Sequence, residues 1–296
     1  MAVIEVEGLR KSYGPVQAVR GVSFSVEEGE VFGLLGPNGA GKSTIVEILE
    51  GYRRRDAGTT RVLGDDPAKG RREVRQKVGL VLQTCAIEPY LSVRRLLDLY
   101  RSYYPTPLAT ADVLEMVGLS DRADTRVRKL SGGLQRRLDL ALAMVGDPDL
   151  IFLDEPTTGF DPSARRHAWE LVRTMRGLGK TILLTTHYMD EAQNLTDRVC
   201  VIRQGEVARI GTPDSLRADV RGTRIQFLRP TTGEPPVIGE PVEADEQGLV
   251  AFTTESPDRA LRELTAWATA QGVELERLEV RRPTLEDVYL ELTGGE

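Results

Sequence analysis

The 296-residue sequence contains few of the residues that build disulfide-bonded or metal-bound cores, with only two cysteines and two histidines. Cys85 and Cys200 lie far apart, so we expect no disulfide framework, which fits a reducing compartment. Together with His167 and His187 they show no spacing typical of zinc ligands. The sequence therefore predicts neither a disulfide-rich fold nor a structural zinc site.

Long apolar runs and an excess of positive charge are also missing. No run approaches the roughly 20 apolar residues that a membrane-spanning helix needs. The N-terminus lacks the basic region and apolar core of a signal peptide. The net charge of −6 argues against binding nucleic acid, which needs a basic face. We therefore expect no nucleic-acid partner, and we expect any action at a membrane to pass through another protein.

Strand-like and helix-like patterns alternate over the first two thirds of the chain. Gly-punctuated apolar or alternating segments predict strands at AVIEVEGLRKSYG, VSFSVEEGEVFGLLG, VGLVLQ, LIFLDEP, TILLTTH and VCVIRQGEV. Helical spacing follows Lys42, dominates from about Ser92 to Asp147, and returns from Ser163 to Gly177. This order predicts an α/β domain over residues 1–219, with a mostly parallel sheet and an inserted helical subdomain at about 88–149.

The pattern lapses near residue 220, and the rest predicts a small separate α+β domain over residues 220–296. Strands are expected at TRIQFL, LVAFTT and VELERLEV, with a Pro/Gly-rich loop, RPTTGEPPVIGEP, after the first. Helices are expected from Asp258 to Ala270 and over TLEDVYLELTG.

A glycine-rich loop lies between a predicted strand and a predicted helix and fits the pattern GxxxxGK[ST] in full. Its residues are Gly36, Pro37, Asn38, Gly39, Ala40, Gly41, Lys42 and Ser43. Glycines let backbone N–H groups approach a phosphate chain at a helix N-terminus. Lys42 is expected to reach the β and γ phosphates, Ser43 to offer a hydroxyl to Mg²⁺, and Thr44 to contact the α phosphate. The loop predicts a nucleoside triphosphate ligand but no particular class of enzyme.

Two acidic residues follow a buried strand in LIFLDEP. Asp154 ends the strand, where ligands gather in open α/β sheets, and is expected to hold Mg²⁺ through water. Glu155 follows at once and is a candidate for polarising an attacking water. The alternative is that both acids only cap a helix.

A second anion-binding helix start is predicted within KLSGGLQRRLDLALA, at Ser131, Gly132 and Gly133. One chain does not need two such loops for one phosphate chain. The second loop therefore suggests a nucleotide bound to another subunit, although alone it would be an ordinary helix cap.

These three segments resemble the motifs of an ATP-binding cassette (ABC) ATPase, in the expected order. Gly36 to Thr44 resembles Walker A, Leu130 to Gly133 the signature, and Leu150 to Pro156 Walker B. The resemblance covers residues 2 to about 215 and implies a P-loop NTPase cassette with an antiparallel β part. It implies ATP and Mg²⁺ as cofactors, and two copies of the chain closing head to tail around ATP.

Four single residues fall where the resemblance implies further roles. Tyr13 resembles the aromatic residue that stacks on adenine, and Gln83 the glutamine that touches Mg²⁺ or water and borders the transporter contact. His187 resembles the switch histidine at the γ phosphate. Asp161 lies in GFDP, which resembles the loop that crosses to the opposite monomer. The resemblance thus implies Glu155, His187, Gln83 and Lys42 as catalytic residues.

The sequence departs from the family pattern at two positions. Leu134 stands where the signature usually has Gln, and Phe160 where the crossing loop usually has Leu. Phosphate recognition by the signature depends on Ser131 and backbone groups, so we expect Leu134 to affect the dimer contact rather than abolish binding.

The closing segment RPTLEDVYLELTGGE resembles that of ATP-binding subunits of the daunorubicin/doxorubicin-resistance type. Such subunits power bacterial efflux with a separate membrane permease. The resemblance implies a peripheral subunit on the cytoplasmic face of the membrane.

Two alternatives stay open: an importer ATPase with a regulatory C-terminal domain, and a soluble ABC ATPase acting on nucleic acid or ribosomes. The compact tail counts against the first. The short stretch between Ser43 and Leu130, the single cassette and the acidic balance count against the second.

Overall fold

The computed structural model describes residues 1–81, 88–219, 222–230, 233–242, 248–282 and 284–293. The chain divides into two compact units, Met1–Pro213 and Asp214–Glu296. The division lies between residues 213 and 214, whereas the sequence placed a domain boundary between 219 and 220. None of the helices in the described ranges is long and apolar enough to span a membrane.

The first unit contains nine strands and seven α-helices within the described residues. The strands are β1 (Ala2–Tyr13), β2 (Val16–Glu27), β3 (Val31–Leu35), β4 (Ala57–Val62), β5 (Val78–Val81), β6 (Leu150–Asp154), β7 (Thr181–Thr186), β8 (Arg198–Arg203) and β9 (Glu206–Gly211). The helices are α1 (Lys42–Leu49), α2 (Arg72–Arg75), α3 (Val93–Arg101), α4 (Thr110–Met116), α5 (Gly132–Met144), α6 (Pro162–Gly177) and α7 (Met189–Leu195).

A six-stranded sheet in the order β5-β6-β7-β3-β8-β9 forms the centre of this unit. The first five strands are parallel, and only β9 runs antiparallel to its neighbour. Strands β3 and β7 are buried along their whole length, as expected for parallel strands covered on both faces. Because β6, β7 and β3 are neighbours, the loops after these three strands emerge at the same edge of the sheet.

A second, three-stranded sheet is antiparallel and has the order β2-β1-β4. The long segment between β5 and β6 holds α3, α4 and α5, whose apolar residues share one core cluster with β6 and β7. The predicted fold class is therefore confirmed: a mostly parallel core, an antiparallel β part and an inserted helical region.

The second unit is α+β. Its elements are α8 (Pro213–Asp219), β10 (Thr223–Leu228), β11 (Glu240–Val242), β12 (Leu249–Thr254), α9 (Pro257–Gln271), β13 (Glu279–Arg281) and α10 (Leu285–Thr293). The strands form an antiparallel sheet in the order β11-β12-β10-β13. Ile225, Phe227 and Phe252 of the sheet pack with Ala260 and Leu264 of α9.

Two expectations for this unit were wrong. The strand expected over VELERLEV is confined to Glu279–Arg281, because the Val273 N–H still donates to the Ala268 carbonyl at the end of α9. The end of the Pro/Gly-rich loop forms the edge strand β11, in which Pro241 lies opposite Phe252. An edge strand tolerates proline because one side of its backbone needs no ladder hydrogen bond.

Candidate nucleotide site

The loop between β3 and α1 is built around two glycines that lie against other backbone segments. A Cβ on Gly36 would lie 2.4 Å from the Ile202 carbonyl oxygen, and one on Gly41 would lie 2.4 Å from that of Ala18. Gly41 also has a φ of 103°, in the left-handed region that favours glycine. The loop is therefore wedged between β2 and β8, with α1 beginning at Lys42.

Lys42 is buried, and its ammonium group is held by the loop itself. Its Nζ donates to the carbonyl oxygens of Gly36 at 2.7 Å and Pro37 at 3.1 Å. Burial lowers the pKa of Lys42, and the negative charges of Glu155 and Asp154 oppose that shift. Binding of a phosphate chain would replace the carbonyl oxygens with stronger acceptors.

The carboxyl end of β6 is joined to β7 through Thr185. The Thr185 hydroxyl donates to Asp154 Oδ1 at 2.6 Å, and the Glu155 N–H donates to Thr185 Oγ1 at 3.0 Å. Glu155 has a φ of 45°, which is uncommon for a residue other than glycine and is typical of functional sites. Thr185 thus fixes the directions in which the two acidic side chains leave the strand.

The Glu155 carboxylate connects three segments of the site. Its Oε1 lies 3.2 Å from His187 Nδ1 and 3.9 Å from Lys42 Nζ, and its Oε2 accepts from the Thr158 hydroxyl at 3.0 Å. His187 directly follows β7, and its ring centroid lies 4.1 Å from that of Tyr188. The structure therefore brings Lys42, Glu155 and His187 together.

A cavity of about 380 Å³ opens over the glycine-rich loop. Its lining residues are Ala18, Asn38, Gly39, Gly41, Lys42, Ser43, Thr44 and Glu155. Seven of these eight belong to the loop residues and the acid that the sequence had singled out, while Ala18 comes from β2. The cavity offers backbone N–H groups, hydroxyls and one ammonium, which is the donor set for a phosphate chain.

Ser43 and Asp154 are the residues that would hold a divalent cation here. Ser43 is exposed in the first turn of α1, and Asp154 ends β6 with only one of its oxygens engaged by Thr185. A hydroxyl and a carboxylate are hard oxygen donors of the kind that Mg²⁺ prefers. The residues present therefore fit a magnesium ion bound together with phosphates.

The signature segment lies in a different cleft. Ser131 caps α5, but its hydroxyl makes no capping hydrogen bond, and Gly132 faces open space. This cleft, of about 600 Å³, is lined by residues 131–134 and 158–161 together with parts of α5 and α6. Both departures from the family pattern, Leu134 and Phe160, line it. Among the residues that the structure describes, none lines both this cleft and the cavity over the glycine-rich loop.

Asp161 caps the N-terminus of α6 in its own chain. Its carboxylate caps α6 by accepting from the N–H groups of Ser163 at 2.8 Å and Ala164 at 2.9 Å. Asp161 lines the signature cleft and not the cavity over the glycine-rich loop.

The two remaining sequence candidates lie apart from the cavity or outside the description. Tyr13 ends β1, is 39% exposed, and has the Arg53 guanidinium 5.1 Å from its ring centroid. It does not line the cavity over the glycine-rich loop. Gln83 lies outside the described residues.

Sequence reasoning missed three residues that organise the site. Thr185 orients both acids, Arg136 donates from α5 to the Pro156 carbonyl at 3.2 Å, and Glu191 is fully buried against the segment after Glu155. Of the three, Glu191 could most readily have been found from the sequence. It is a charged residue, four positions after His187, at a core position of the short helix α7. The other two depend on contacts between segments distant in sequence.

The chain is similar to known proteins along its whole length. Residues 19–158 match the family model described as "ABC transporter". Residues 223–284 match "ABC transporter domain-containing protein-like, C-terminal domain". The chain is 41% identical over 306 residues to the daunorubicin resistance ATP-binding protein DrrA2 of Streptomyces coeruleorubidus, covering 98% of this chain and 95% of that protein. It is 40% identical over 308 residues to the Nod factor export ATP-binding protein I of Paraburkholderia xenovorans, covering 100% and 98%.

A solved structure shows the same architecture. CbiO1 from Clostridium perfringens, part of the ABC transporter complex cbiONQ, aligns with a TM-score of 0.67 and 28% identity over 74% of this chain and 91% of that one. Full-length identity of about 40% to two such relatives exceeds what chance likeness of fold produces. The chain belongs to the family of ABC transporter ATP-binding proteins, is an ATP-binding, ATP-hydrolysing subunit, and resembles the daunorubicin resistance ATP-binding proteins.

Proposed function

We propose that this chain is the ATPase subunit of a bacterial exporter, dimerising around ATP to drive a separate membrane permease. The observation that carries the proposal is the separation of the two anion-binding loops. In one chain the glycine-rich loop and the signature loop line different cavities, which share no lining residue within the described part of the chain. A second copy of the chain can supply the missing half of each site.

The electrostatics favour such a closed dimer. Each nucleotide would lie between residues 36–44 of one copy and Ser131, Gly132 and Gly133 of the other. Both faces present the positive end of a helix, α1 or α5, toward the phosphates. The triphosphate would therefore attract both copies, and hydrolysis with loss of phosphate would weaken that attraction.

The chemical step would be carried by positioning and charge. Glu155 would polarise the attacking water, while His187 and Lys42 would hold the γ phosphate. Mg²⁺ held by Ser43 and Asp154, with Gln83 as a further proposed contact, would neutralise charge on the β and γ phosphates. Tyr13 would stack on adenine, Thr44 would contact the α phosphate, and Asp161 would face the opposite copy.

A groove of about 470 Å³ in the first unit is the proposed docking place for a cytoplasmic segment of the permease. Apolar, aromatic, acidic and basic side chains line it, among them Leu49, Glu50, Tyr52, Arg75, Tyr100 and Tyr104. Strand β5 contributes Val78 and Leu80, and Gln83 follows that strand in the sequence. Closure of the dimer would move this groove and the docked segment together, from a peripheral position on the cytoplasmic face of the membrane.

Export is the direction that the relatives support. One is named for daunorubicin resistance and the other for Nod factor export. We propose efflux of a drug-like or lipid-like substrate, whose selection would lie with the permease.

The substitution Glu155→Gln tests this function most simply. It keeps the size of the side chain and removes its capacity as a base, so we expect retained ATP binding with turnover reduced about 100-fold or more. Light scattering should then show an ATP-dependent dimer. Glu170→Gln, an exposed position on α6, is the control and should turn over normally. A fast Glu155→Gln variant would place the base elsewhere.

A further inference from the structure

The most deeply buried acidic side chain near the site has no part in the chemical step proposed above. Glu191, in α7, is 0% exposed. Its Oε1 accepts from the Thr157 hydroxyl at 2.9 Å and from the Trp169 indole N–H at 3.3 Å. Its Oε2 is buried and makes no hydrogen bond of ordinary geometry among the described residues, although the Thr186 hydroxyl interacts with the same carboxylate. A carboxyl group in such surroundings is costly to retain and calls for a specific explanation.

The partners of Glu191 lie on two different segments of the first unit. Thr157 is two residues after Glu155 and is itself 1% exposed. Trp169 is on α6, which follows the segment that resembles the family's crossing loop. Glu191 itself lies four residues after His187. One carboxylate oxygen therefore ties the segment after Glu155 and helix α6 to the helix that follows His187.

The direct link between the two reacting segments is the 3.2 Å contact of Glu155 Oε1 with His187 Nδ1. Both side chains are proposed to turn toward a γ phosphate and a water, so this contact must loosen when nucleotide enters. The Glu191–Thr157 hydrogen bond lies in the interior, away from the cavity, and can persist through that change. The Glu191–Thr157 hydrogen bond therefore keeps the Glu155 segment and the His187 segment at a fixed separation when nucleotide binds.

The outer face of the same segments carries a second link. The Arg165 guanidinium of α6 lies 4.4 Å from the ring centroid of Tyr188, and Arg165 also pairs with Asp190 at 3.3 Å. Both contacts are partly exposed, whereas the Glu191 contacts are interior. The interior link is therefore the one less weakened by water.

We propose that Glu191 is a positioning residue for ATP hydrolysis, which holds the Glu155 segment and the His187 segment at a fixed separation through Thr157 and Trp169. The proposal rests on the roles of Glu155 and His187 proposed above. Burial raises the pKa of the Glu191 carboxyl, and hydrogen bonding from Thr186, Thr157 and Trp169 acts against that shift. Glu191 therefore holds its partners through its acceptor oxygen rather than through its negative charge. The amide oxygen of a glutamine can replace that acceptor.

The test compares Glu191→Gln, which keeps an acceptor oxygen, with Glu191→Leu, which removes it at similar size. In steady-state ATPase assays of the full chain, Glu191→Leu should lower kcat about 10- to 100-fold, because small misplacements of reacting groups have effects of this size. KM for ATP should change less than about twofold, since the phosphate loop is untouched. Glu191→Gln should restore kcat to within about threefold of the parent.

Two further measurements separate positioning from stability. Thr157→Val should lower kcat by a similar factor, and the double variant with Glu191→Leu should be no slower than the slower single variant. Glu30→Gln is the matched control, because Glu30 is buried and paired with Arg198 before β3, at the far end of the sheet. It should lower the melting temperature and leave kcat unchanged.

The proposal is overturned if Glu191→Leu has the parent kcat, or if its effect and that of Thr157→Val multiply in the double variant. Should Glu191→Leu fail to fold, Thr157→Val and Trp169→Phe remove the donors instead, and parent-like kcat in both would overturn it. Glu155→Gln is measured alongside. If that variant turns over normally, the base assignment fails, while the coupling between Glu191 and Thr157 is still judged by its own variants.

Discussion

Glu50 is a residue whose environment is unfavourable for its charge. It caps the end of α1 in the proposed docking groove, and its Oε1 is buried without a partner among the described residues. Burial, with Asp154 and Glu47 nearby, raises the pKa of Glu50 to about 8. The folded chain therefore holds a proton on Glu50 that the unfolded chain releases at lower pH.

This pKa predicts a stability that falls as pH rises. The contribution of Glu50 is fully present below the unfolded value near 4.5 and is lost as pH rises through about 8. Glu50→Gln removes the ionisation, so unfolding free energy should fall less between about pH 6 and pH 9, by on the order of 2 kcal/mol. Denaturant unfolding of both proteins at each pH measures this.

The exposed Glu28→Gln is the control for this comparison and should follow the parent protein. If Glu50→Gln also follows the parent over this range, the carboxyl of Glu50 is already ionised in the folded protein.

At the level of elements, the junction of β3, the glycine-rich loop and α1 requires glycine at a position that has no room for a larger side chain. The Gly36→Ala substitution adds a Cβ that would lie 2.4 Å from the Ile202 carbonyl oxygen of β8 and 3.3 Å from the Ala40 Cβ. Backbone must move to admit it, so we expect a loss of about 1–3 kcal/mol in stability. The loop should also lose ATP affinity, which fluorescent-nucleotide titration would show.

Gly177→Ala is the control for this element, because a Cβ there meets nothing within 4 Å and the residue has no positive φ. It should keep both the stability and the ATP affinity of the parent. Parent-like ATP binding by Gly36→Ala would show that the loop can shift without cost.

Elements encoded by consecutive residues could be predicted from the sequence, whereas elements that depend on contacts between distant segments could not. The strand before Gly36, the loop and helix α1 were predicted because loop chemistry and helical spacing are written in consecutive residues. Strand β11 was not predicted, and β13 was predicted to be longer than it is, because these three-residue strands exist through pairing with β12 and β10 and have little pattern of their own. Thr185 escaped notice for the same reason, since its effect on Asp154 and Glu155 crosses between strands.

The account of the whole molecule depends on the idea that each reaction centre is made from two chains. Within one chain, the cavity over the glycine-rich loop contains Lys42 and Glu155, and the other contains Gly132 and Asp161. ATPase activity per mole of chain should therefore rise with protein concentration until the dimer is saturated. A specific activity that stays constant down to concentrations where the chain is monomeric would contradict a shared site.

Mixing two inactive variants gives a sharper answer, because a symmetric pair exchanges the same surface in both directions. Lys42→Ala removes the phosphate-binding ammonium. Gly132→Asp places a negative charge at the signature, where an added Cβ meets open space and the fold should be unaffected. Each variant alone has two defective sites in its dimer. A mixed dimer has one complete site, formed by the Lys42 of one chain and the Gly132 of the other.

The most direct measurement is therefore the ATPase rate of a 1:1 mixture of Lys42→Ala and Gly132→Asp chains, compared with each variant alone. If sites are shared, about a quarter of the parent activity should appear on mixing, from the one intact site in the half of the dimers that are mixed. A mixture no faster than the average of the two variants would contradict the shared site.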